Sequence, residues 1–274
     1  MPPAGYPPLP GYGGGPGAGS PFSIGDAFSW SWGKFTKNLA AMTVPALIFL
    51  IGIGVPTGIM YAWLMGSATT TGSSTYTFDP ETGSTTFEST GAGIELGAGG
   101  LILSLLVGLF LAVIGIYMQA SFISGSLDIA DGRPVTIGSF LKPRNLGPAI
   151  LAGLLVLVGV AIGSALCVIP GLIFAFLAYF AIQFAIDRGL SPVNAVKASI
   201  ATVRANLGPA LLAWIAQGAV MFVGQLACGI GLVAAVPVAY LIQVYTYRKL
   251  TGGPVAPLEL SGASPGPYPG PQYG

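Results

Sequence analysis

Apolar residues in this chain gather over 38–65, 97–127, 147–186 and 208–247, and they do not recur there at a period of 3.6 or 2. A helix or strand half-buried on a water-soluble core shows one of those periods. A block without one expects apolar surroundings on every side. Crossing a bilayer takes about 20 such residues. The first two blocks therefore hold one crossing each, and the last two, of 40 residues each, hold two. The pattern predicts an all-α polytopic membrane protein with six transmembrane helices.

The polar stretches ahead of three of these blocks resemble one another. "NLGPA" occurs at 145–149 and again at 206–210. The first copy ends "RPVTIGSFLKPRNLGPA" from Arg133, and the second ends "SPVNAVKASIATVRANLGPA" from Ser191. "SPFSIGDAFSWSWGKFTKNLAA" from Ser20 is a weaker relative. Each opens on X-Pro-(Phe/Val), continues with basic residues at helical spacing and closes on Asn-Leu. From Pro to Asn the distances are 17, 11 and 14 residues, steps of about one helical turn. Cys167 and Cys228 each follow their Asn by 22 residues, and Gln183 and Gln243 follow by 38 and 37. Gln119 is the counterpart in the first unit, displaced by an insertion at 67–98. The expectation is three tandem units, about 22–128, 129–188 and 189–251, each an interfacial helix followed by a transmembrane hairpin. Asn and Gly end the surface helix, and Pro enters the first turn of the next, where its missing N–H costs nothing. "NLGPA" reads as a corner from the membrane surface into the membrane.

Ser23 and Asp26 form a capping pair at the start of the first surface helix. Phe28, Trp32, Phe35 and Leu39 follow on one face. In the third unit Pro192 suits the first helical position, and Val193, Val196, Ile200, Val203 and Leu207 make the stripe. Trp30, Trp32, Lys34, Lys37, Lys197 and Arg204 are the candidate contacts to lipid headgroups. These helices either brace the bundle or sense the membrane.

Charge sets the orientation. Charged residues are 7% of the chain, against about 25% in a soluble domain. All ten basic residues precede the first block, follow even-numbered crossings or lie beyond the last one, whereas 67–98 carries Asp79, Glu81, Glu88 and Glu95 and no base. Under the positive-inside rule both termini are cytoplasmic and 67–98 is outside. Residues 1–22 lack the basic start of a signal peptide, so the first block is expected to stay as a helix. The tails at 1–21 and 252–274 are rich in Pro, Gly and Tyr with one charge, Glu259, and are expected to be disordered. They are either passive or recruit a partner. Within the insertion, "STYTFDPETGSTTFEST" predicts a small β-hairpin around Asp79–Gly83.

The chemistry is sparse. There is no histidine, no phosphate-binding loop and no nucleophile motif, so neither an enzyme nor a cofactor or metal is expected. Cys167 and Cys228 sit at equivalent outer hairpin tips, as a disulfide or as small apolar residues in turns. The remaining candidates are amides within the spans. Gln119, Gln183 and Gln243 recur at one position of the second helix of each unit, Gln217 and Gln225 lie on the fifth helix, and Asp187 is one turn beyond Gln183. Amides in hydrocarbon require partners, so these form either inter-helix glue or a polar cluster along a substrate path.

The segment "VIPGLIFAFLAYFAIQFAIDRGLSPVNAVKASIATVRANLG" (168–208) resembles the signature of a broad family of bacterial six-helix membrane proteins, which includes the membrane domain of some glycerophosphodiester phosphodiesterases. With its Pro/Gly/Tyr tails the chain is similar, more narrowly, to the proline- and glycine-rich transmembrane proteins of mycobacteria and their relatives. The resemblance spans residues 20–250 and implies a multi-pass protein of the bacterial plasma membrane. It brings no catalytic residue, and the phosphodiesterase domain is absent. Two functions fit: a non-enzymatic scaffold or modulator of envelope membrane proteins, or a transporter or lipid-handling protein with a polar cavity between the hairpins. Lipids are the expected partners in both, other envelope proteins in the first, and nucleic acid in neither.

Overall fold

The computed structural model describes residues 22–67, 74–89, 98–227 and 229–258. In chain order the helices are α1 (Ile24–Lys37), α2 (Leu39–Ser67), α3 (Ala98–Ala130), α4 (Leu146–Leu166), α5 (Val168–Leu177), α6 (Ala181–Arg188), α7 (Pro192–Ala205), α8 (Leu207–Leu226) and α9 (Leu232–Thr251). Between α2 and α3, β1 (Ser74–Phe78) pairs antiparallel with β2 (Thr85–Ser89), placing Tyr76 opposite Phe87. Five stretches are long and apolar enough to cross a membrane: Leu39–Met65, Gly99–Ala130, Leu146–Leu166, Val168–Arg188 and Leu207–Leu226. The sixth expected crossing, α9, has the length at 20 residues. It lacks the uniform apolar character, because its second half carries Gln243, Tyr245, Thr246, Tyr247, Arg248 and Lys249.

Asparagines mark the corners. Asn38 is the single residue between α1 and α2, and Asn206 is the single residue between α7 and α8. Each turns its amide back four residues, Asn38 to the Lys34 carbonyl at 2.9 Å and Asn206 to that of Thr202 at 3.0 Å. These bonds occupy carbonyls that the ending helix leaves orphaned. Asn145 differs, with φ of +49° and its amide donated across to the Ile186 carbonyl of α6 at 2.8 Å. The second unit also departs from the expected helix, since only a 3-10 turn (Ile137–Phe140) precedes its corner. Pro143 biases Lys142 away from helical geometry, and the short spacing leaves no room for a second turn. The turn is held by tertiary bonds instead. The Tyr117 hydroxyl donates to the Leu141 carbonyl, the Arg144 N–H donates to Ser124 Oγ at 3.1 Å, and Phe140 is buried over Gly125, where a Cβ would lie 2.5 Å from the ring.

The packed core occupies the half of the bundle beside these corners. It takes in Met42 and Phe49 of α2, Ala120–Leu127 of α3, Ala149 and Ala152 of α4, and Phe180–Ile186 around α6. The far half splays, with Leu105, Leu166, Val168 and Ile230 more than 70% exposed. Apolar surface on this scale expects a partner or a membrane. The central element is α9, buried from Ala235 to Arg248 except at the half-buried Tyr240 and in contact with α1, α2, α3 and α8. Near the far ends, two hairpins cross at glycines. A Cβ on Gly163 of α4 would meet the α5 backbone at Gly171 at 2.8 Å, and Gly224 of α8 meets Ala235 and Gly231 in the same manner. Small residues permit such approach.

Three expectations change here. Ser23 caps α1 as read, accepting from the Asp26 N–H at 3.3 Å, but the helix is rotated from the expected face. Its buried residues are Ala27, Trp30, Ser31 and Phe35, because the small Ala27 and Ser31 let α1 lie close on α9, leaving Phe28 and Trp32 stacked outside. In α7 likewise, the buried set is Ala195, Val196, Ser199 and Val203, and Val193 is exposed. Residues 252–258, expected to be disordered, pack along α1. Trp30 Nε1 donates to the Ala256 carbonyl at 2.8 Å, Lys34 Nζ to that of Pro257 at 2.9 Å, and the Ala256 N–H to the Ala130 carbonyl at 2.8 Å. Residues 1–21 and 259–274, for which disorder was also expected, lie outside the described residues, as does Cys228, and with it the choice between a disulfide and unbonded cysteines. Cys167 is exposed at its tip.

Candidate functional site

The site begins with a broken helix. Between α5 and α6 the chain leaves helical geometry at Ala178–Phe180. Irregular backbone at membrane depth is tolerated where it is buried in protein or lines a cavity, and here it does both. Ser199 of α7 satisfies one side of the break: its Oγ accepts from the Phe180 N–H at 3.0 Å and donates to the Leu177 carbonyl at 2.9 Å. Gln243 of α9 takes the other side, donating from Nε2 to the Tyr179 carbonyl at 2.8 Å. A hydroxyl on one neighbour and an amide on the other thus hold the break open.

Tyr179 and Gln243 line a cavity of about 260 Å³, together with Gln119 of α3 and Gln217 of α8. A second cavity of about 390 Å³ shares Trp214 and Gln217 with it and is mostly apolar, with Met118, Met221, Val236 and Tyr240 in its wall. Both exist because α8 packs closely on α9 and stands off from α3, α4 and α5; Phe176 reaches across to Trp214, ring centroids 5.6 Å apart. The α9 residues of the floor, Val236 and Ala239, are buried, while Met118, Trp214 and Gln217 in the walls are half-exposed and Ile215 and Gly218 are exposed. The larger cavity therefore opens sideways, between α3 and α8. Together the two offer an amide-rich recess and an apolar one of the size that small-molecule sites have.

The structure brings together Gln119 and Gln243 of the expected polar cluster and adds Gln217. Gln183 is not part of it. Its side chain is fully buried outside the cavity lining, and neither amide atom has a hydrogen-bond partner. Gln225 is exposed near the far end of α8. Gln243 Oε1 and the Tyr179 hydroxyl are also buried without a partner.

Asp187 belongs elsewhere, to an ionic clasp joining α3, α6 and α9. Arg248, whose side chain is 9% exposed, pairs with Asp131 at 2.6 Å and with Asp187 at 3.0 Å. Asp187 also accepts from the Tyr247 hydroxyl at 2.9 Å. Arg133 spans Asp128 and Asp131, and Arg144 reaches Asp128 at 3.4 Å. Three carboxylates face three guanidiniums, so the group is neutral. The sequence offered a signal in the basic residues beyond helices 2, 4 and 6, but it read them as orientation alone. Of the candidate headgroup contacts, Trp32, Lys37, Lys197 and Arg204 are exposed, Trp30 is buried against Tyr245 with ring centroids 5.3 Å apart, and Lys34 holds the C-terminal segment. Trp30 is drawn inward because residues 252–258 offer its indole N–H a carbonyl. Among the described residues no three His, Cys, Asp or Glu are grouped to hold a metal.

Over 257 residues the chain is 45% identical to uncharacterized protein Rv2560 of Mycobacterium tuberculosis H37Rv, covering 92% of this chain and 76% of that one. Uncharacterized protein Mb2590 of Mycobacterium bovis matches at the same identity and coverage, as does uncharacterized protein MT2637 of M. tuberculosis CDC 1551. No family model matches the chain, so the wider likeness to the phosphodiesterase-linked membrane domains gains no support, and no solved structure matches it either.

Proposed function

Given that the chain belongs to the family of the mycobacterial proteins Rv2560, Mb2590 and MT2637, we propose that it is a non-enzymatic, multi-pass protein of the bacterial plasma membrane that takes a lipid-like amphiphile from the bilayer. The observation that carries this is the pair of adjoining cavities, a smaller one lined by Gln119, Gln217 and Gln243 and a larger, mostly apolar one that opens sideways between α3 and α8. A site filled from water would open toward a helix end, whereas a lateral opening faces the acyl chains. Discontinuous helices at mid-membrane likewise mark binding sites in proteins that move solutes.

In this reading α9 is the sixth crossing. Its polar residues face the bundle rather than lipid, because α1, α2, α3 and α8 surround it. The three corners then delimit three tandem units of one orientation, with both termini cytoplasmic and the β-hairpin outside, as the distribution of basic residues supports. The scaffold reading draws on the tails and the outer hairpin, and it rests on no contact among the described residues.

The test is mass spectrometry of the protein released from mild detergent. Wild type is expected to retain a bound lipid. Gly218→Phe is expected to lose it while folding normally, since Gly218 lines the cavity and a Cβ there meets nothing within 4 Å. Equal retention by both proteins overturns the proposal.

A further inference from the structure

We infer that the β-hairpin between α2 and α3 docks on the lipid headgroup layer, with Tyr76, Phe78 and Phe87 seated among the headgroups. The inference is independent of the cavities and needs only that α2 and α3 cross the bilayer.

The hairpin is amphipathic by register. Opposed residues of an antiparallel pair point to one side, and the side alternates along each strand. The pairing therefore puts Ser74, Tyr76, Phe78, Thr85, Phe87 and Ser89 on one face and Thr75, Thr77, Thr86 and Glu88 on the other. The aromatic face carries no charge, since Glu88 points away from it and Asp79 and Glu81 lie in the turn. Tyr76 and Phe87 meet across the strands with ring centroids 4.8 Å apart. Even so, Tyr76 stays 71% exposed, Phe78 63% and Phe87 56%. A two-stranded hairpin by itself is marginal in water, and this one leaves its whole aromatic side uncovered.

Reach, area and charge identify what covers it. Residues 68–73 join α2 to β1 and residues 90–97 join β2 to α3; at full stretch such tethers span no more than about 20–30 Å. The hairpin is thus held beside the membrane surface where α2 and α3 emerge. Tyr61, 64% exposed, and Trp63 sit in the last two turns of α2, and these residue types concentrate at the membrane–water boundary. By strand rise and spacing the aromatic face measures about 17 Å by 10 Å. That is well short of the roughly 800 Å² that each partner buries in a stable protein interface, so a second copy or another protein fits it poorly. Three clustered aromatics do suit a headgroup layer. The strand edges set the depth. Among the described residues no third strand pairs with β1 or β2, and in hydrocarbon their outer N–H and C=O groups would go unsatisfied. The hairpin therefore lies flat and shallow, where water reaches its edges. Residues 67–98 hold no base, so the attachment needs no anionic lipid and survives added salt.

The experiment places a nitroxide on either face of the full chain in phosphatidylcholine nanodiscs. Cys167 and Cys228 are changed to Ala, and Phe87→Cys or Thr77→Cys carries the label. Collisions with oxygen, which partitions into lipid, are compared with collisions with a nickel chelate, which stays in water. The label at 87 is expected to meet the chelate several-fold less often than the label at 77 while keeping its access to oxygen, in low and high salt alike. Adding Tyr76→Ser and Phe78→Ser should return the label at 87 to water. Equal chelate access at the two positions overturns the proposal. So does a label at 87 screened from both reagents, the result expected if protein covers the face. The unlabelled wild-type chain supplies a second reading that no substitution can disturb. A phosphatidylcholine bearing a diazirine near its headgroup should crosslink at Tyr76, Phe78 or Phe87, and the absence of any crosslink within 74–89 overturns the proposal equally.

Discussion

Arg248→Met isolates the clasp. Methionine keeps most of the length and the apolar stem and removes the charge that faces Asp131 and Asp187. Breaking a buried ion pair from one side costs about 3–5 kcal/mol, because the remaining charge stays desolvated. Here both carboxylates keep a second partner: Arg133 for Asp131 at 3.3 Å and the Tyr247 hydroxyl for Asp187 at 2.9 Å. The expected loss is therefore at the low end, about 3 kcal/mol. Arg133→Met is the internal control. Its side chain is 55% exposed, and exposed pairs contribute about 0–1 kcal/mol. Adding Asp187→Asn to Arg248→Met removes the stranded charge and should restore at least about 1 kcal/mol. The assay is reversible unfolding in mixed micelles of dodecylmaltoside and SDS, followed by tryptophan fluorescence. If Arg248→Met and Arg133→Met destabilise equally, Arg248 is solvated and the clasp does not hold α3, α6 and α9 together.

Asn145→Ala should cost about 1–2 kcal/mol in the same assay, through a left-handed φ of +49° and the lost bond to the Ile186 carbonyl; Asn145→Gly, which accepts that φ, should lose less. Gly163→Val drives a side chain into the α5 backbone, 2.8 Å from the added Cβ, with an expected cost of about 1–3 kcal/mol and faster hydrogen exchange in α4 and α5. In the outer hairpin, the Thr82 hydroxyl and the Glu81 N–H, each bonded to the Asp79 carboxylate, hold Asp79 below its usual range. A lowered folded pKa stabilises above the unfolded value and is lost as pH falls through the folded one. Protease cleavage within 79–84 should therefore rise on acidification below the ordinary carboxylate range, and Asp79→Asn should abolish that pH dependence.

Five of the six expected spans were legible because bilayer thickness writes itself into block length, and the corners because Asn, Gly and Pro carry their geometry locally. The orientation of α1 was not. Trp30 and Trp32 are equally apolar in sequence, and what separates them is a carbonyl at Ala256, more than two hundred residues away. The break at 178–180 was also hidden, since "AFLAYFAIQFA" reads as uninterrupted helix and the groups that open it, Ser199 and Gln243, come from two other helices. Gln119 and Gln243 line one cavity together with Gln217, which has no counterpart in the other units, and Gln183 is buried outside that lining. The clasp was invisible for a related reason: Asp131, Asp187 and Arg248 are far apart in sequence and occupy unmatched positions in their units.

The central claim is that a cavity beside Trp214 opens to the bilayer, and fluorescence of that residue tests it most directly. With Trp30, Trp32 and Trp63 changed to Phe, the chain is reconstituted in vesicles whose acyl chains carry bromine, and quenching of Trp214 is compared with and without Gly218→Phe. The account predicts strong quenching in the parent, a marked loss of it when phenylalanine fills the opening, and little effect of aqueous acrylamide on either. Quenching by acrylamide in place of bromolipid, or bromolipid quenching indifferent to Gly218→Phe, would contradict it.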